Sequence, residues 1–344
     1  MQLTSQIKPL LILYSILFNF KKLSVLKKKN IAILMGGYSS EYEVSIKSGN
    51  EVYKNLDKKK YNLYRIIITK NKWFYLNEDK IEIPVNIKNF SLRNPKVKFD
   101  LVYNVIHGSP GEDGLIQSYF KLIGINHTST EFFQSALTFN KNDCKEYLKN
   151  YGVISPNSLL LRINDKIDQK KIMKKINLPV FVKPNKGGSS FGISRVDNIK
   201  KLIPAIQHAF KEDNEIIIEE EIKGKEISVG IMKLNNKIIS LPPTEIISHN
   251  EFFDYDAKYK GKSDEITPAL INSNETNEVQ KLSRLIYKKL KLKGFARSDF
   301  ILKHGKFYFL EVNTNPGLTK ESIFPKQAKS FGISLKELFE SLIK

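Results

Sequence analysis

Residues 31–35 form an uninterrupted apolar run that ends in Gly36-Gly37, which predicts a buried parallel strand and its turn. Apolar positions then recur at helical spacing from about 44 to 55, and residues 64–69 and 99–106 give two further strands, the last ending at His107-Gly108. Strands that alternate with helical stretches predict a small α/β lobe with a parallel sheet, in which ligand groups gather at the carboxyl ends of strands. Further along, residues 140–151 and 200–210 have helical spacing, and 180–184 and 216–221 are strand-like. Residues 227–234 and 237–241 flank Asn235-Asn236, and 300–302 and 306–312 flank His304-Gly305, two predicted hairpins. Residues 279–290 and 321–330 have helical spacing, whereas 249–268 are polar and aromatic with little periodicity, as expected of a functional lid.

These elements divide the chain into an extension at 1–29, an α/β lobe at 30–124, a central lobe at 125–221 and a C-terminal lobe at 222–344. Each lobe is long enough to bury its own core. Residues 9–20 are almost wholly apolar and are followed by lysines. Twelve helical residues span about 18 Å, short of the roughly 30 Å of bilayer hydrocarbon. The expectation is a non-essential extension, translated from an upstream start codon, without stable membrane association.

Composition changes this picture little. The 344 residues are 41% hydrophobic and 27% charged, ordinary for a globular chain. The net charge of +20 raises the question of a polyanion partner. Only six of the 56 basic residues are arginine, the residue that grips bases and phosphates bidentately. The excess is lysine, which shares A/T-rich codons with the plentiful Ile and Asn, so no nucleic-acid partner is expected. The single cysteine, Cys144, excludes an internal disulfide and suits a reducing cytoplasm. There is no Cys/His cluster with zinc spacing.

Several groups could carry chemistry, each with a plainer alternative. Glu311 and Asn313 are two apart on one predicted strand, and a hairpin partner can bring Asp299 opposite them. Three such oxygens suit magnesium, though ordinary solvated acids read the same way. Lys183 ends a strand before the glycine-rich stretch 185–192, whose backbone N–H groups could approach phosphate; Lys141 could add charge. A surface loop is the alternative, and a Walker A ending is absent. Glu219, Glu220 and Glu221 end another strand: a solvated edge, or an adenine and ribose clamp, with Glu226 a second candidate for the ribose.

In order along the chain, the segments resemble the D-alanine–D-alanine ligase family. The resemblance is carried by 36–45 (GGYSSEYEVS), 107–114 (HGSPGEDG), 183–192, 253–259 (FDYDAKY), Arg297-Ser298-Asp299 and 311–317 (EVNTNPG), and runs from about residue 31 to the C-terminus. It implies an ATP-grasp fold preceded by the α/β lobe, ATP as co-substrate, two magnesium or manganese ions on Asp299, Glu311 and Asn313, and a cytoplasmic homodimer that makes D-alanyl-D-alanine for peptidoglycan. Glu41 would hold the ammonium of the first D-alanine, with His107 nearby. Lys141, Lys183, Gly188 and Ser189 would hold the phosphates, and 219–222, ending at Ile222, the adenine. Arg297 and the Gly317 N–H would stabilise the oxyanion. Ser322 would bind the second carboxylate. Ser189 and Tyr259, with Glu41, would latch the 253–259 loop, in which Lys258 would bind substrate. Asn140 stands where the family often has Asp, and Glu220-Glu221 replaces a more usual basic or aromatic pairing. Two alternatives stay open: a depsipeptide ligase using D-lactate, disfavoured by Tyr259, and a basic binding protein without catalysis.

Overall fold

The computed structural model describes residues 28–248 and 263–343. The apolar run becomes β1 (Lys29–Gly36), followed by α1 (Tyr42–Asn55) and β2 (Tyr61–Ile68). Then come β3 (Trp73–Leu76), β4 (Glu82–Pro84), the two-residue strands β5 (Ser91–Leu92) and β6 (Val97–Lys98), and β7 (Leu101–Asn104). The order β4-β3-β2-β1-β7 has a parallel centre, β2-β1-β7, as the sequence predicts. Two antiparallel strands, β3 and β4, extend it beyond that reading, because the connection at 69–72 is a tight turn rather than a crossover.

Both faces of β1 are buried. Ile31, Ile33 and Met35 pack on one side with Phe324, Leu338 and Phe339 from the C-terminal end of the chain. Ala32 and Leu34 pack on the other with Phe90, Phe99 and Phe120. Each large apolar side chain buried this way contributes roughly 1.5–3 kcal/mol, so the first and last parts of the chain are held together by a shared core.

Helices α2 (Leu115–Ile123), α3 (Phe132–Phe139) and α4 (Lys141–Lys149) lead to a four-stranded antiparallel sheet. Its strands are β8 (Ser158–Arg162), β9 (Val180–Pro184), β10 (Ser194–Val196) and β11 (Glu215–Glu220), in the order β10-β9-β11-β8. Its core holds Val180, Val182, Ile216 and Ile218 against α5 (Gln169–Lys175) and α6 (Leu202–Ala209).

The last sheet contains β12 (Lys225–Leu234), β13 (Lys237–Ser240), β14 (Thr244–Ser248), β15 (Ser263–Ile266), β16 (Ala296–Lys303) and β17 (Lys306–Asn313), with α7 (Ser273–Lys289) packed on it. Both predicted hairpins form. Asn235 and Asn236 have φ of 47° and 65°, and His304 and Gly305 have 48° and 73°, the left-handed pairs that a two-residue hairpin turn needs. Helix α7 begins at Ser273, after a reciprocal Asn272–Glu275 cap and earlier than apolar spacing indicates, because its first turns are polar. Helices α8 (Ile323–Ser330) and α9 (Leu335–Glu340) close the chain. Among the described residues no helix is long and apolar enough to cross a membrane. The 1–29 extension lies outside the described residues up to position 27, as do Lys258, Tyr259 and the rest of residues 249–262 of the expected 249–268 lid; in its last part Ser263–Ile266 is instead strand β15, paired with β14.

Candidate active site

The carboxylate hairpin is built by β16 and β17. Asp299 lies opposite Glu311 and Arg297 opposite Asn313. A bulge after Asp299 shifts the register, so that Phe300 pairs with Phe309 and Leu310 is the extra residue. The shift matters because strict alternation would put Glu311 and Asn313 on the same face as Phe307 and Phe309. Those two rings are buried in the core, as is Val312, whereas Glu311 and Asn313 face the cleft.

Asp299 is buried and accepts two hydrogen bonds from Arg297, at 3.0 and 2.7 Å, and one from the Ser228 hydroxyl at 2.7 Å. Asn313 lies 3.4 Å from the same carboxylate. Glu311 pairs with the Lys141 ammonium at 3.2 Å. Among the described residues no group of three His, Cys, Asp or Glu side chains is placed to hold a metal ion. The donor set on this hairpin is two carboxylates and an amide, hard oxygens that fit a magnesium ion carrying phosphate and water as its other ligands.

The phosphate side is assembled from two elements. Asn140 caps α4, its side chain accepting from Asp143 N–H at 3.0 Å and from the Asn185 amide at 2.9 Å. A cap needs only a side-chain oxygen, so Asn serves where an Asp would. Lys141 N–H donates to Asn185 O at 3.1 Å, and its ammonium donates to Gly187 O at 2.6 Å. The start of α4 is thereby fastened to the glycine-rich loop. In that loop Ser189 and Ser190 take φ of 49° and 60°, a left-handed backbone uncommon for residues with a Cβ.

Lys183, at the end of β9, donates to Glu219 at 2.5 Å. Glu219 is therefore no solvated edge: it is buried and bridges Lys183 and Lys145. Glu220 accepts from Asn157 N–H at 2.8 Å, and Glu221 pairs with Arg195 through both oxygens, at 2.6 and 3.1 Å. Ile222 lies two residues past the end of β11 and Glu226 is the second residue of β12. Neither belongs to the lining of the two cavities at this site.

The main cavity, about 350 Å³, lies where the lobes meet, and its wall includes Glu41, His107, Ser189, Arg297, Gly317 and Ser322. Glu41 sits at the start of α1 but makes no side-chain capping bond. It is buried and accepts a hydrogen bond from the Ser189 hydroxyl across 148 residues of sequence. Gly188 packs against it: a Cβ there would meet the Glu41 carboxylate oxygens at 2.7 and 2.9 Å. Ser322 begins α8, also without a capping bond, and its hydroxyl is 2.7 Å from that of Thr319. A Cβ on Gly317 would lie 2.8 Å from the Ser322 oxygen, so glycine is what allows that approach.

His107 is buried with Nε2 3.3 Å from the Ser48 hydroxyl. Burial lowers its pKa, and the Glu41 charge opposes the shift. Glu112 joins the main cavity to a smaller one beside Lys141, Gly188 and Glu311. It accepts from Gly108 N–H at 2.7 Å. Burial first, then the Glu41 charge, pushes its carboxyl up to about 8. Because the folded value lies above the unfolded one, the protein binds this proton more tightly when folded. The contribution of this group to stability is then full below about pH 4.5 and is lost as the pH rises to about 8, by up to about 1.4 kcal/mol per pH unit. Glu112→Gln is expected to flatten that slope and raise the melting temperature above pH 8; an unchanged slope in thermal melts from pH 5 to 9 would show that Glu112 titrates normally.

Sequence reasoning passed over Glu112, Ser48 and Lys145. Glu112 lay within a quoted motif, and Lys145 lies four residues after Lys141, hence on the same helical face. Ser48 left no signal in the sequence, since its partner His107 is distant in the chain.

A small α/β lobe, an antiparallel lobe with a phosphate-type loop and lysines, and a sheet whose last hairpin presents carboxylates to the same cleft together define an ATP-grasp protein. Residues 30–130 match the family described as D-ala D-ala ligase N-terminus, and residues 148–344 that described as D-ala D-ala ligase C-terminus. The chain belongs to the D-alanine–D-alanine ligase family. It is 53% identical to a D-alanine–D-alanine ligase of Flavobacterium johnsoniae, over 92% of this chain and 98% of that one. With the corresponding protein of Bacteroides fragilis it shares 43%, over 92% and 99%. Among solved structures it resembles the VanG D-Ala:D-Ser ligase of Enterococcus faecalis, with a TM-score of 0.82, 33% identity and coverage of 92% and 99%. It also resembles the Bacillus anthracis D-alanine–D-alanine ligase complexed with ATP, with a TM-score of 0.74, 31% identity and coverage of 92% and 96%.

Proposed function

We propose that this protein joins two D-alanines in an ATP-dependent, ADP-forming reaction that supplies D-alanyl-D-alanine for peptidoglycan. The observation that carries this reading is the meeting of Lys141, from the central lobe, with Glu311, from the last hairpin, at 3.2 Å beside the glycine-rich loop. A triphosphate seated there would touch both lobes. We take the lobes to divide near residues 124 and 221.

Glu41 would receive the ammonium of the first D-alanine, orienting its carboxylate toward the γ-phosphate. That carboxylate attacks phosphorus, the bond to ADP breaks, and an acyl phosphate forms. Lys141 and Lys183 would hold phosphate oxygens, and Asp299, Glu311 and Asn313 would hold magnesium or manganese, which when bound offsets the charge of transfer. The amine of the second D-alanine, anchored by its carboxylate at Ser322, attacks the acyl carbon. The bond to phosphate then breaks and the amine loses a proton. Arg297 and the Gly317 N–H would face the oxyanion, and Ser189 would keep Glu41 in place. Tyr259 and Lys258 would close the cavity from outside the described residues, excluding water from the acyl phosphate. The ribose would fall to Glu226 and the adenine to the 219–222 segment. Supply of ATP places the reaction in the cytoplasm. Exposed Leu115, Leu122, Phe132 and Phe133 on α2 and α3 support a homodimer.

Phosphate release from ATP with magnesium is expected to require D-alanine and to be absent with L-alanine. With equal D-alanine, D-lactate and D-serine near neutral pH, D-alanyl-D-alanine is expected as the main product by mass spectrometry. A mainly depsipeptide or D-alanyl-D-serine product would reassign the second substrate. No D-alanine-dependent turnover, with salt-sensitive DNA binding instead, would favour a basic binding protein.

A further inference from the structure

The buried Lys183–Glu219–Lys145 trio sets two basic side chains on a single carboxylate. One carboxylate serves two ammoniums from different elements, Lys183 on β9 through one oxygen and Lys145 on α4 through the other. The two lysines differ in access. The Lys145 side chain is 3% exposed, and that of Lys183 is 11% exposed beside the phosphate loop. Burial, then the Lys183 and Lys141 charges, draws the Lys145 amine downward in pKa, and Glu219 is the anion in direct contact with it. A buried carboxylate stripped of its partner is strongly unfavourable. Lys183 therefore can leave Glu219 for a phosphate only if something else stays on that carboxylate.

We propose that Lys145 is a positioning residue that retains Glu219 when Lys183 moves from Glu219 to a nucleotide phosphate. The trio acts as a relay: Lys145 never meets the nucleotide, yet it sets how readily Lys183 does. Without Lys145, Glu219 and Lys183 would form an exclusive pair, and phosphate would have to break it. The inference rests on the ATP-site reading above.

The test is binding of ATP and of adenosine to the full chain, by calorimetry for ATP and by competition for adenosine. In Lys145→Met, a substitution of similar shape, ATP affinity is expected to fall about 10- to 100-fold, the worth of one charge-assisted hydrogen bond. Adenosine, which has no phosphate, is expected to bind within about twofold of the unaltered protein, and kcat at saturating ATP to change far less than KM for ATP. Lys145→Gln gives a second variant with the same expected pattern. ATP affinity unchanged in a folded variant would overturn the proposal, as would equal loss of adenosine and ATP. Loss of folding in both variants would make Lys145 a structural residue and end it too. Absence of ATP binding by the unaltered protein is a separate outcome, which removes the nucleotide site itself.

Discussion

Asp299→Ala is expected to lower D-alanine-dependent phosphate release by roughly a thousandfold, the scale of losing a principal electrostatic stabiliser in a low-dielectric site. Asp299 is the best-connected oxygen donor of the hairpin, held by Arg297 and by Ser228. Its removal deletes one proposed metal ligand and releases Arg297 from a two-point clamp, so both phosphoryl transfer and oxyanion stabilisation suffer. The fold is expected to survive, because the side chains buried in the core at this point of β16 are those of the neighbouring Ser298 and Phe300. Asp299→Asn tests the charge itself: it can keep a bond to Ser228 but loses the negative charge that both the proposed metal and Arg297 require. Near-normal turnover in the alanine variant, with an unchanged circular dichroism melt, would remove Asp299 from the proposed metal site.

Gly188→Ala is expected to reduce kcat/KM for D-alanine about 100-fold while leaving thermal stability nearly unchanged. The added methyl would lie 2.7 and 2.9 Å from the Glu41 oxygens, inside contact distance. The atoms that must move are the end of a flexible side chain, so the backbone can stay. Glu41 would then leave Ser189 and carry the first ammonium out of line with the phosphate. Misplacement on the scale of 1 Å can cost about this much. Steady-state kinetics with varied D-alanine and varied ATP distinguish this from damage to the phosphate loop. A loss confined to ATP affinity would place the fault in the loop instead of at Glu41.

Much of this chain could be worked out residue by residue. The β1 strand, the two hairpins and α4 follow from apolar spacing and turn chemistry, local properties that need no partner. The motif order placed Glu41, Lys141, Lys183, Arg297 and Asp299 among the candidates. Spacing alone left them as candidates, because a solvated acid and a metal ligand have the same letter. The antiparallel strands β3 and β4 and the early start of α7 escaped prediction, since short strands and polar first turns carry little apolar periodicity.

Long-range placement belonged to the tertiary structure. The face of β17 is the clearest case. The spacing of Glu311 and Asn313 correctly put them side by side, but the same alternation would have set them with Phe307 and Phe309 in the core. One extra residue after Phe309 reverses the phase and turns both polar groups to the cleft. The Glu219 bridge is similar: three glutamates in a row look solvated until two buried lysines, 36 and 74 residues earlier, arrive against the first of them. Local propensity is encoded in neighbours along the chain. Charge pairing and burial depend on which distant strand or helix is packed alongside.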